Sequence, residues 1–356
     1  MKNTLLFVTI VWLLLLGQPD ALFADYTMMC TYYGSPVAYV YKVSDEGDIS
    51  LWYSMTVTPG GEPDSIVFSP NGHWGMVGCW TTDWLPTQWT TLLEIDNNGL
   101  INVLDYVFNN DRGWLLAISP DSKFGIYGSD LKTLRYYGDG IYNVISTNNT
   151  IMANYEASFS VLNNQLYVGD SYKQIVECKL AEDGITTATG FKLSIDPSSG
   201  SEDIKVSPDG RTCIVLSSIH YFVTVLHIHA EGGFELVEQF NTTSYADEVD
   251  FTPDSQYAVI TCFYDMRIYR IEQDSHLTET DRITLPHRPG EYMAITPDGK
   301  YVITGIFNFQ VVRILDGGKF QYLPEKDYPH TPGSVSALAF VPPQITEANP
   351  SWNMYQ

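Results

Sequence analysis

The sequence predicts an all-β protein, a seven-bladed β-propeller with four-stranded blades. Three observations carry that reading. A strand–turn–strand motif built around Ser/Thr-Pro-Asp/Asn-Gly/Ser returns along the chain at a nearly constant step. Each step holds four short apolar runs and no convincing 3.6-residue period. The two ends of the chain each supply the part of a repeat that the other lacks.

The turns come first, because they set the register. Three are Val67-Phe68-Ser69-Pro70-Asn71-Gly72, Ala117-Ile118-Ser119-Pro120-Asp121-Ser122 and Lys205-Val206-Ser207-Pro208-Asp209-Gly210. Two more are Phe251-Thr252-Pro253-Asp254-Ser255 and Ile295-Thr296-Pro297-Asp298-Gly299. Proline presets φ at the second turn position and Asp/Asn-Gly allows the tight reversal, so each is a hairpin signal. A degenerate copy, Ser160-Val161-Leu162-Asn163-Asn164, fits between the second and third, and a strand-only copy ends at Phe340-Val341-Pro342-Pro343. Proline-equivalent positions 70, 120, 162, 208, 253, 297 and 342 give steps of 50, 42, 46, 45, 44 and 45.

A second strand follows each turn, as in Tyr257 to Cys262 or Tyr301 to Gly305. A third follows, as in Met266 to Ile271, and then a polar turn and a fourth alternating run. Four strands per repeat is the blade of a propeller. The seventh inner strand, Val335 to Val341, has no further strands after it. The segment Tyr26 to Tyr33 reads like Tyr257 to Tyr264, with Cys30 matching Cys262, and Val37 to Val43 and Leu51 to Val57 complete the set. The last blade is therefore expected to join both termini, which removes the exposed edges of an open array.

Residues 1–24 are expected to be a secretory signal peptide: Lys2, a 13-residue apolar run from Leu5 to Gly17, then a small residue at Ala24. The run is shorter than the roughly 20 residues a membrane span needs. The expected organisation is a signal peptide (1–24), one propeller (25–343) and a C-terminal tail (344–356), with export to the periplasm or the cell exterior and no membrane insertion after cleavage. Cys30, Cys79, Cys178, Cys213 and Cys262 are odd in number and widely spaced, so free buried thiols are expected. Cys30, Cys79 and Cys262 are placed at one repeat position.

The 356 residues carry 42 acidic against 19 basic side chains, a formal net charge of −23. That excludes nucleic acid as a partner, since phosphate binding needs a basic surface, and disfavours anionic lipid. Charged residues are 17% and aromatics 13% of the chain. Disorder needs the reverse composition.

Through these Ser/Thr-Pro-Asp-Gly turns the repeat resembles the YVTN and lactonase-like group of seven-bladed propellers, related in shape to WD-repeat proteins, over essentially the whole mature chain. The resemblance speaks for the fold. Propellers host enzymes, binding modules and scaffolds alike.

A site is expected where the loops leading into the innermost strands ring one mouth of the channel. The residue five positions before each turn Ser/Thr is, in blade order, Asp64, Trp114, Glu156, Glu202, Asp247, Glu291 and Ser336. Five of these seven are carboxylates, where chance alone expects fewer than one. Hard oxygen ligands converging on one axis suit Ca²⁺ or Mg²⁺, so Asp64, Glu156, Glu202, Asp247 and Glu291 are the candidate metal ligands; solvated surface acids would look the same. An insertion, Trp80 to Trp89, is expected to place Trp84 over the same mouth near Trp114, where exposed rings beside acids hold sugars or ammonium groups. Rings capping the blade interface as core are the competing reading.

Arg112 is the cation this reading finds near the mouth, with His220 and His287 as possible bases. His227 and His229 share one strand face and read as surface histidines. Lys205 and Asp250 are expected to pair between blades. Asn148-Asn149-Thr150 and Asn241-Thr242-Thr243 are glycosylation acceptors only in a host that glycosylates exported proteins. Two functions compete. One is a binding or scaffold module taking a protein partner, a cation or a polyol ligand at the mouth. The other, which the resemblance implies, is a lactonase-like hydrolase or isomerase. The latter needs an oxyanion donor and a base, and a phosphate-bearing substrate would meet a repulsive field. No cofactor-attachment motif supports an electron-transfer role.

Overall fold

A computed structural model describes residues 25–344, apart from 81–87, 110–114, 147–150, 152, 171–173, 195–200, 218–220, 243 and 329–332. Seven four-stranded antiparallel sheets stand in a ring. The innermost strands of blades 1 to 7 are Glu62–Phe68, Leu116–Ile118, Ala153–Phe159, Ser201–Val206, Ala246–Phe251, Met293–Ile295 and Val335–Phe340. Among the described residues no helix is long and apolar enough to cross a membrane.

The repeated turn owes its composition to hydrogen bonding. In blade 5 the Thr252 hydroxyl donates to Asp254 at 2.6 Å and accepts the Tyr257 N–H at 3.0 Å, where the second strand begins. The same pair of bonds forms at Ser119–Asp121–Phe124, Ser207–Asp209–Thr212 and Thr296–Asp298–Tyr301. A hydroxyl at the first position and a carboxylate two residues on are what this closure needs; proline between them stiffens it.

Ring closure follows the expected plan. Val335–Phe340 pairs with Tyr26–Tyr32, and Val37–Val43 and Ile49–Thr56 continue the sheet. One detail is corrected. Cys79 and Cys262 pair with Pro63 and Ala246, whereas Cys30 pairs with Leu338, and Tyr32 takes the place of Cys262 in the terminal strand. All five thiols are nevertheless free and buried.

The core lies between blades, with an apolar cluster at each of the seven junctions. Alternation along a strand serves both neighbours. In Tyr257–Cys262, residues Ala258, Ile260 and Cys262 pack towards blade 4, and Val259 packs towards blade 6. Strands buried on both faces read as continuous apolar runs, which is why no polar alternation marks them. Removing a side chain such as Ile260 would cost about 2–5 kcal/mol.

Candidate functional site

The acidic position before each turn proves to be a β-bulge. In blade 1, Pro63 pairs with Cys79 and Ser65 with Gly78, which leaves Asp64 as the extra residue. Glu202 in blade 4, Asp247 in blade 5 and Ser336 in blade 7 are left over in the same way. A bulge re-aims one side chain out of the ladder at the rim of a sheet. Glu291 lies just before the short innermost strand of blade 6.

Blade 3 departs from the expected register. Phe159 pairs with Leu166 and the Ser160 N–H donates to Gln165, as Phe68 pairs with Gly75 and Ser69 donates to Trp74. Ser160 is therefore the turn serine, so Tyr155 holds the ring position and Glu156 falls one place further on, level with Asp203 and Glu248. The missing proline had left that alignment open by one residue. The side chains of Glu156 and Glu202 lie outside the described residues, as do Trp84, Arg112, Trp114 and His220.

The three acids whose side chains are described fall into two groups. Tyr292 donates to Asp64 Oδ1 at 3.3 Å, and the hydroxyls of Tyr292 and Tyr33 are 2.9 Å apart. Burial pushes the Asp64 carboxyl up to about 6; the tyrosine hydroxyls oppose this, while Glu62 and Glu291 add like-charge repulsion. Burial and the nearby Asp64 push the Tyr33 hydroxyl up to about 12.

Asp247 and Glu291 share a cation that sequence reading passed over. Arg288 Nη2 is 3.2 Å from Asp247 Oδ1 and 3.4 Å from Glu291 Oε1. Its guanidinium lies over the ring of Phe263, 4.0 Å from the centroid. Arg288 stands three residues before Glu291 in the run Pro286-His287-Arg288-Pro289-Gly290. In a chain this poor in basic residues, that proximity was the available signal. Among the described residues no three His, Cys, Asp or Glu side chains are arranged to hold a metal ion, and Arg288 lends positive charge to both Asp247 and Glu291.

Behind the mouth the channel opens into a cavity of about 410 Å³. Val67, Ala117, Ala294 and Ala339 line it together with the charged Lys205, Glu248 and Asp250. Lys205 Nζ meets Glu248 Oε1 at 3.6 Å, so it forms an ion pair with Glu248, two residues before the expected Asp250 on the same strand. Asp250 feels Lys205 electrostatically, and its own Oδ2 accepts the Ile295 N–H. The acids here serve as pegs: Asp203 accepts the N–H of Val249, and Glu248 that of Met293, each in the following blade. Burial raises the pKa of both Glu248 and Asp250.

His227 is tied to Ser275 at 2.9 Å and stacks edge-on with His229, rings 5.4 Å apart, away from these groups.

No protein-family model matches this chain, and no curated protein does. Solved structures do. A 6-phosphogluconolactonase-like protein of Bacteroides uniformis is 17% identical with a TM-score of 0.76, covering 89% of this chain and 99% of its own. One from Bacteroides fragilis is 15% identical with a TM-score of 0.75, covering 91% and 100%. The periplasmic gluconolactonase of Pseudomonas aeruginosa is 15% identical with a TM-score of 0.75, covering 89% and 99%. The neighbours are lactonase-like seven-bladed propellers, and at these identities the likeness is one of fold.

Proposed function

We propose that the channel mouth binds a small hydroxyl-rich ligand, and that the reaction its residues are equipped for is hydrolysis of a cyclic ester of the sugar-lactone class. One observation carries this reading. Asp64, a carboxyl titrating near 6, stands at the lip of the cavity beside two tyrosine hydroxyls, with an arginine on the same rim. A base with a pKa near the operating pH is the most effective one. Above pH 6 ionised Asp64 takes a proton from water as that water attacks the lactone carbonyl carbon. A tyrosine hydroxyl and Arg288 steady the developing oxyanion. The ring C–O bond then breaks, the departing oxygen takes up the proton held by Asp64, and the product is an open hydroxy acid. Arg288 is the positively charged donor that a lactonase-like reaction needs for its oxyanion.

The substrate is uncharged. Arg288 is matched by two carboxylates and the mouth carries further acid, so a phosphate group would be repelled, whatever the names of the two Bacteroides proteins say of theirs. Export belongs to the same proposal, supported by the apolar leader in the sequence and by the periplasmic gluconolactonase among the structural neighbours.

The test is turnover of δ- and γ-sugar lactones above the spontaneous rate. Asp64→Asn should lower kcat about 10²-fold with KM little changed, and should erase the limb of the pH profile near 6. A wild-type protein without turnover sinks the hydrolytic reading. A second reading, ligand capture without reaction, is favoured by the single Arg288 nitrogen held by both Asp247 and Glu291. It predicts calorimetric binding of the same lactones without product.

A further inference from the structure

We propose that the rim of blades 5 to 7 is a docking surface for an arginine-bearing segment of a partner protein, its guanidinium groups seated between exposed aromatic rings and the carboxylates of the mouth. The surface goes beyond the hydrolytic reading and does not depend on it.

The rings come from equivalent places. In blades 5, 6 and 7 the loop between the second and third strands carries Phe263 and Tyr264, Phe307, and Tyr33. Tyr264 is 68% and Phe307 64% exposed, and Phe263 and Tyr33 are also exposed. Two backbone bonds lace the loops of blades 6 and 7 to the start of the last inner strand: Tyr33 N–H to Ser334 and Val335 N–H to Ile306, both 2.9 Å. Phe307 and Tyr33 thus flank one strand entrance, and Tyr33 reaches Tyr292 at the next. Among these rings stand Glu62, Asp64 and Glu291, the last half exposed.

The protein's own Arg288 shows what this surface does with a guanidinium. It lies over the Phe263 ring, 4.0 Å from the centroid, while two carboxylates approach its charge. That is the cation–π and ion-pair combination by which basic groups are recognised. Tyr33, Tyr292, Phe307, Asp64 and Glu62 repeat its ingredients one blade further round. A net charge of −23 favours the approach of a basic partner over any other.

The probe is a fluorescent tetra-arginine peptide, read by anisotropy at about 150 mM salt so that distant charge is screened. An uncharged tetra-citrulline peptide of the same shape is the control, and neutral oligosaccharides are assayed alongside. The expected result is binding of the arginine peptide alone. Tyr264→Leu with Phe307→Leu, which leaves net charge untouched, should weaken it tenfold or more; Tyr264→Phe, which keeps the ring, should bind as the wild type does. Glu235→Gln on the outermost strand of blade 4 should have no effect. Both leucine sites are exposed, so an unchanged melting curve and unchanged lactone turnover separate lost docking from lost folding or lost hydrolysis. The proposal is overturned if the wild type does not bind the arginine peptide or binds citrulline equally, if the glycans bind instead, or if the Glu235 change weakens binding as much as ring removal does.

Discussion

The carboxylate of Asp250 accepts the backbone N–H of Ile295 at 3.0 Å, across the junction between the inner strands of blades 5 and 6. Glu248 makes the same contact to Met293 and Asp203 to Val249. The inner strands of blades 4 and 5 therefore each complete the hydrogen bonding of the next blade, and side chains fasten blades 4, 5 and 6 in sequence around the axis.

Asp250→Ala should leave the Ile295 N–H without its acceptor and cost about 1–3 kcal/mol. For a chain of this size that lowers the melting temperature by several degrees. Asp250→Asn, which keeps an acceptor oxygen and sheds a buried charge, should cost far less. Equal losses for the two variants in thermal unfolding would rule out the peg.

Asp64 makes a pH-dependent contribution whose sign follows from its raised pKa. The folded carboxyl titrates near 6, whereas an unfolded aspartate titrates near 3.9. Between those values the folded state holds more protons than the unfolded state, so this group's contribution falls as pH rises from about 4 to 6 and is level above. Asp64→Asn should match the wild type near pH 3.5 and exceed it by about 1–3 kcal/mol at pH 7. Chemical denaturation across that range measures the difference; a constant difference at all pH values would contradict it.

Arg288 is expected to be the resident counter-ion of the mouth. Arg288→Ala removes the guanidinium 3.2 Å from the buried Asp247 carboxylate and should cost about 3 kcal/mol, and Asp247→Asn in the same chain should recover most of the loss. Millimolar Ca²⁺ should then raise the melting temperature of Arg288→Ala more than that of the wild type, with Na⁺ at matched ionic strength as control. A larger calcium response in the wild type would instead favour the metal reading of the acidic ring.

The five thiols should be silent in the native state. Burial pushes Cys79 up to about 11 and Cys178 up to about 12, which removes the reactive thiolate at neutral pH. Native protein should react with a thiol reagent at none of the five, and denatured, unreduced protein at all five. Three or fewer after denaturation would mean bridges.

Much of this architecture is legible in the sequence because its causes are local. A hydroxyl, a proline and a carboxylate within five residues make the turn, and they recur often enough to count the blades and assign the closing one to both termini. Where the proline is absent, at Ser160, the same reasoning misplaces the ring by one residue and mistakes Glu156 for Tyr155. The site depends on longer distances. Asp64 meets Tyr292 across 228 residues and Tyr33 meets Tyr292 across 259, and Arg288 reaches back 41 residues to Asp247. Only the closed ring brings these groups together, because each blade presents its side chains to a neighbour about one repeat away or at the other end of the chain. The bulge that turns Asp64 and Asp247 out of their ladders is likewise a property of paired strands, invisible in either strand alone. Sequence by itself determined the repeat, the blade count and the acidic position; tertiary structure alone decided which acid is neutralised by arginine, which is held by tyrosine, and which fastens one blade to the next.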